Sequence, residues 1–194
     1  MRRLLLILAL FIHLAAYPLA QTGYFLPASM FSSSLLSDLC QDTYGNIWLG
    51  TDYGLNRFNG YSFTTFLHND ADTTSLQANT IVSLLSDENG NLWVGTNRGL
   101  DYYDAATNTF RHYYFPGGVK PRVSQIGRFS DGTITIATAG YGVFLLGKDG
   151  KLTATQRYNA DENDSYCRSL TEDSRHRIWK FGFNQTFVMT DGKK

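Results

Sequence analysis

Cysteine, proline, histidine and net charge are all scarce in this chain, and each scarcity removes a class of protein. Two cysteines among 194 residues, Cys40 and Cys167, are too few for a disulfide-stapled scaffold. No CxxC or HExxH motif occurs, and His68, His112 and His176 stand alone, which reads them as surface histidines and leaves no zinc-ligand set. Asn69 to Thr74, "NDADTT", lacks the glycine and distal glutamate of a calcium loop. No metal and no cofactor is therefore expected. Seventeen basic residues balance 17 acidic ones, so the chain has no basic face to release counterions, and nucleic acid is not an expected partner. With only four prolines against 12 tyrosines and 13 phenylalanines, the chain is neither disordered nor of low complexity. Its length suits one domain with a real core.

The first twenty residues, "MRRLLLILALFIHLAAYPLA", set Arg2 and Arg3 before an apolar stretch from Leu4 to Ala16, with Ala20 preceding Gln21. That order predicts an export signal over residues 1–20, although Pro18 is imperfect for cleavage. An uncleaved anchor is the alternative, since the stretch approaches the length that spans a bilayer. Removing both arginines leaves 15 basic against 17 acidic residues. The expectation is a weakly acidic domain over residues 21–194, periplasmic or otherwise exported, touching a membrane only through an uncleaved N-terminal segment.

What the chain does have is a repeat. "DTYGNIWLGTDYGLNRF" begins at Asp42 and "DENGNLWVGTNRGLDYY" at Asp87. Aligned on Trp48, Trp93, Thr135 and Trp179, four units follow one another at steps of 45, 42 and 44 residues. Each divides into four short apolar runs; in unit one these are "LLSDLCQ", "IWLGT", "LNRF" and "YSFTTFL", separated by turn residues. Asn59-Gly60, like Asp149-Gly150 in unit three, predicts a tight hairpin with both central residues at positive φ. Asp42, Asp87 and Asp173 each precede a tryptophan by six residues, which suits a carboxylate closing a turn onto backbone N–H groups. Their recurrence at one turn makes them structural, not catalytic.

Four strands per unit of about 44 residues is the arithmetic of a β-propeller blade. The second run is continuously apolar, as expected of a strand covered on both faces. There the indole fills the space between sheets, while Gly50 and Gly95 permit close backbone approach. A sandwich does not repeat such a phrase at fixed spacing, and a β-helix coil is shorter. The fold class is therefore all-β, a propeller of four-stranded antiparallel blades, with units at about 36–68, 79–115, 122–158 and 166–194. Asp42, Gly45, Trp48, Gly50, Asp87, Gly90, Trp93, Gly95 and Trp179 are its structural signature.

The phrase D-x-x-G-N-[IL]-W-[LV]-G-T-x-x-G-L resembles the two-component regulator propeller repeat, found in the periplasmic sensor region of bacterial hybrid histidine kinases. The resemblance spans residues 24–190 and is most specific at Asp42 to Phe58 and Asp87 to Tyr102. Unit three diverges, and unit four has Lys180-Phe181-Gly182 in place of the Gly-Thr ending. The resemblance implies a sensor, often of two seven-bladed rings before a membrane helix and kinase, and many members respond to oligosaccharides. This chain has no second hydrophobic span, phosphoacceptor segment or nucleotide-binding glycine box, so no kinase activity is expected of it. Seven blades need roughly 300 residues, whereas Gln21 to Lys194 supplies 174. The preferred expectation is thus an incomplete part of a seven-bladed propeller, whose partners are remaining blades or a second protomer. The alternative is a closed four-bladed ring, in which "GYFLP" (residues 23–27) completes unit four and Cys40 comes near Cys167.

Function is expected on the face shared by the turns between second and third strands and the connections between blades. Tyr53, Arg98, Lys120, Arg122 and Tyr141 are the candidate ligand-binding residues. Tyrosine suits the apolar faces of sugars, and the cations suit carboxylate or sulfate. A structural or protein-interaction propeller without a ligand is the second reading. A propeller lyase or hydrolase ranks last, because non-repeating His, Glu or Asp do not converge from several units.

Overall fold

The computed structural model describes residues 27–155, Tyr158, 165–182 and 188–190. The expected signal segment, most of "GYFLP" and the chain beyond Thr190 lie outside these residues. Four antiparallel sheets, blades I to IV, follow in chain order. Blade I holds β1 (Leu36–Gln41), β2 (Ile47–Thr51), β3 (Gly54–Phe58) and β4 (Phe63–Phe66). Blade II holds β5 (Ile81–Ser86), β6 (Leu92–Thr96), β7 (Gly99–Asp104) and β8 (Thr109–Tyr113). Blade III holds β9 (Val123–Arg128), β10 (Ile134–Thr138), β11 (Val143–Leu146) and β12 (Leu152–Thr155). Blade IV contributes β13 (Ser169–Glu172), β14 (Ile178–Phe181) and β15 (Val188–Thr190). The molecule is a β-propeller, an arc of successive blades whose first strands β1, β5, β9 and β13 all face one groove.

Each recurring residue has a mechanical reason. Asp42 closes the β1–β2 turn: Oδ1 accepts from the backbone N–H groups of Tyr44 and Asn46, and Oδ2 from Asn46 Nδ2 and Trp48 Nε1. Asp173 does the same with Trp179 Nε1 at 2.9 Å. In blade II the Tyr102 hydroxyl donates to Asp87 Oδ2 at 2.8 Å. These bonds hold the Asp173 carboxyl well below the usual carboxylate range, the Trp179 indole contributing most. The turn's last residue sits at positive φ: Gly45, Gly90 and Gly132, then His176 at 61°. That conformation favours glycine, and His176 holds it with its ring Nδ1 2.7 Å from Glu172 Oε1.

Blades interlock through the second strand. A Cβ on Gly50 would lie 2.7 Å from Ile81 Cγ2, and one on Gly95 would lie 2.5 Å from Val123 Cγ1. The glycines therefore admit a side chain of the next blade's first strand, where close approach of backbone was expected. Trp48 then anchors a core with Leu55, Leu84, Leu92 and Tyr103 that belongs to both blades I and II. Corresponding cores join II to III and III to IV.

The expected hairpin turns are corrected. Only Gly60 of the Asn59-Gly60 pair takes positive φ. The connection is a longer loop in which the Asn59 side chain accepts from the N–H groups of Tyr61 and Ser62, so a side-chain turn replaces the two-residue hairpin. Asp149-Gly150 behaves alike, with Asp149 accepting from Lys151 N. The two cysteines sit in different cores, Cys40 against that of blades I and II and Cys167 inside that of blades III and IV, and neither is in a disulfide.

Candidate functional site

The threonine ending β2, β6 and β10 builds the loop face. Thr51 Oγ1 donates to Gly54 O and accepts from Tyr53 N; Thr96 Oγ1 donates to Gly99 O and accepts from Arg98 N; Thr138 Oγ1 donates to Gly142 O. These bonds present Tyr53, Arg98 and Tyr141 outward, and both tyrosines are exposed. The connections between blades dock against the same turns: Gly54 N donates to Asn79 O, Asn97 N to Thr80 O and Ala139 N to Arg122 O.

Several cavities result among the described residues. One, of about 810 Å³, is the groove along the propeller axis. Serines of three first strands (Ser37, Ser124 and Ser169) line it with Val82, Ala139 and Phe181, and Arg122, Tyr166 and Arg168 stand at one end. Among the described residues neither guanidinium has an acidic partner within 4 Å. A cavity of about 500 Å³ lies between blades I and II beside Asp42, Trp48, Arg57 and Arg111. Its charges are committed: Arg57 donates to the Tyr103 hydroxyl and stacks over Trp48, and Arg111 pairs with Asp104.

A smaller pocket, about 200 Å³, opens on the loop face and collects Arg98 and Lys120 with His68, Asp70, Gln77, His112 and Tyr114. Its floor is Asp101, fully buried, which accepts from Gln77 N, Gln77 Nε2 and His112 Nδ1 at 2.8, 2.7 and 2.8 Å. The bond to Asp101 raises the His112 pKa, outweighing burial, which opposes it.

The five candidates are thus dispersed. Arg98 and Lys120 share the small pocket, Arg122 faces the axial groove, and Tyr53 and Tyr141 project from the turns of blades I and III. Sequence reasoning missed His68 and His112 as pocket residues, together with Arg168. One signal was legible for His112: it stands opposite Asp101 in the β7–β8 register.

Similarity to known proteins follows this architecture. Residues 30–53 and 75–98 match the family described as "Two component regulator propeller". Over 52 residues, 27% of this chain, 40% are identical to Histidine kinase P4 of Formosa agariphila, of which the match covers 4%. Among solved structures, the chain is similar to two extracellular domains from B. thetaiotaomicron described as hybrid two component systems. BT3049 matches with TM-score 0.62 and 24% identity over 89% of this chain and 25% of that one. BT4673 matches with TM-score 0.67 and 23% identity over 84% of this chain and 25% of that one. The propeller of virginiamycin B lyase from Staphylococcus aureus matches at TM-score 0.61 and 13% identity, over 87% of this chain and 58% of the lyase. The chain therefore spans about a quarter of the two sensor domains. At these identities the structural matches establish the fold alone.

Proposed function

We propose that this chain is the ligand-sensing propeller module of an extracytoplasmic two-component sensor, recognising an oligosaccharide along its axial groove without chemistry of its own. The observation that carries the reading is the groove itself. At about 810 Å³ it falls within the size range of small-molecule sites, and it offers serine hydroxyls, a tyrosine and two arginines. No carboxylate or imidazole lines it among the described residues, which supports binding over cleavage. The repeats of the regulator family and the extracellular sensor domains of like fold support the same reading. The expected location is the periplasm. Titration of the purified protein with neutral and acidic oligosaccharides tests the proposal. Binding should appear without product formation and weaken at least tenfold in Arg122→Ala with Arg168→Ala. Absence of binding across the panel would overturn it.

A second reading, a protein-interaction propeller, is favoured by one observation: Leu35, Leu36 and Leu39, in and just before the first strand of blade I, are exposed. Further blades or a second protomer would cover this face. Concentration-dependent association that Leu39→Lys abolishes would support it.

A further inference from the structure

We propose that the small pocket on the loop face of blades I and II is an oxyanion site, in which Arg98 and Lys120 hold a carboxylate or sulfate group. The proposal adds to the axial-groove reading a distinct site that selects acidic ligands.

The pocket carries positive charge left over. The pocket's other ionisable groups are matched within it. His112 sits against the buried Asp101, and His68 Nε2 lies 2.9 Å from Asp70 Oδ1 at the rim, with its Nδ1 facing Leu76 O. Gln77 is spent on Asp101 and on Leu100 O. By contrast, among the described residues Arg98 and Lys120 have no acidic group within 4 Å, and no side-chain hydrogen bond engages either. Two cations directed into one concavity repel each other, and an anion between them relieves that repulsion while accepting charge-assisted hydrogen bonds.

Placement agrees with this. Arg98 is held by a turn that Thr96 closes, and Lys120 belongs to the connection entering β9, so the two come from successive blades. The floor beneath them is rigid, because Asp101 accepts three hydrogen bonds at full burial. Protonated His112 offsets the Asp101 charge, which would otherwise repel an anion from below, and the bond to Asp101 favours that form. At about 200 Å³ the pocket admits a single charged group, not a chain of sugars. It suits inorganic sulfate, or the sulfate or carboxylate of an acidic saccharide whose remaining rings lie outside.

The test is calorimetric titration of the whole exported chain at pH 6 with sodium sulfate, a sulfated monosaccharide, glucuronate and glucose. The charged probes should bind and glucose should not. In the Arg122→Ala, Arg168→Ala background, which removes the groove's cations, affinity should fall about fivefold in Arg98→Ala and in Lys120→Ala, disappear when these two are combined as a double variant, and survive in Lys120→Arg. These side chains carry no bond that folding needs, and an unchanged urea midpoint verifies it. Inorganic sulfate binding as tightly as the sulfated sugar would make the free ion the ligand; tenfold tighter sugar binding would make it the saccharide. Failure of every charged probe, or equal binding by the double variant, would overturn the site. Arg122→Ala with Arg168→Ala should leave sulfate binding intact, so this result and the groove's are read separately.

Discussion

Blades I and II are written in nearly the same residues, yet their first strands live in different solvents. Leu36 is 51% exposed, whereas Ile81, Val123 and Cys167 at the same blade position are at most 1% exposed. Leu39 is 63% exposed, against 6% for Leu84. The hydrogen bonds differ in parallel. Asp38 Oδ2 accepts from Leu84 N, Ser83 Oγ from Ile126 N and Gln125 Oε1 from Leu170 N, each reaching forward to the next blade. Leu39 N, the equivalent donor in blade I, instead bonds to its own neighbour's Asp38 Oδ1 at 2.8 Å. Burial of a blade's first strand is thus a property of the blade before it. The covering strand must also be small at one position: Gly50, Gly95 and Ala137 fill it in blades I to III, and Phe181 occupies it in blade IV. A strand that covered Leu36 would need glycine or alanine there, which Phe181 does not offer.

Four substitutions or conditions break or sharpen this contrast. The largest effect belongs to Leu84→Ala, which should cost about 2–5 kcal/mol, while Leu39→Ala should stay within about 0.5 kcal/mol; urea unfolding of both variants measures the gap. Next, Gly95→Ala places a methyl against Val123 and should destabilise by about 1–3 kcal/mol. Adding Val123→Ala should recover part of that loss, because the two side chains compete for one space. Smaller still, Ser83→Ala leaves the buried Ile126 N–H without its acceptor, at about 1 kcal/mol. Last is acid. Burial works to raise the Asp87 pKa, but the Tyr102 hydroxyl, Asn91 and Asn89 N–H bonds outweigh it and the net shift is downward. A carboxylate so lowered stabilises the fold above its unfolded value and loses that contribution as pH falls through the folded one. Acid unfolding monitored by tryptophan fluorescence below about pH 4 should therefore be less steep in Tyr102→Phe than in the parent protein.

Much of the fold was legible because each blade repeats a local mechanism. Asp42 six residues before Trp48 announces a turn closed by a carboxylate onto backbone N–H groups, to which the structure adds the Trp48 indole, and Gly50 announces a close approach between sheets. Hairpin types were less legible: Asn59 satisfies two backbone N–H groups with its own side chain, and that competition between side chain and backbone is invisible in a dipeptide signal. The site was legible only in pieces. Arg98 and Lys120 lie 22 residues apart in different loops, and the pocket joins them through His68 and His112, which no repeat position marks. Lys120 and Arg122 are two residues apart in sequence, yet they line different cavities, since the chain turns from the loop face into β9 between them.

Amide hydrogen exchange of four equivalent residues tests the central claim most directly, because it reads the blade-to-blade bonds one by one. The account predicts that Leu84, Ile126 and Leu170 exchange slowly, behind acceptors from the preceding blade, while Leu39 exchanges fast. Equal protection at Leu39 would mean that its face is covered, and would contradict the account.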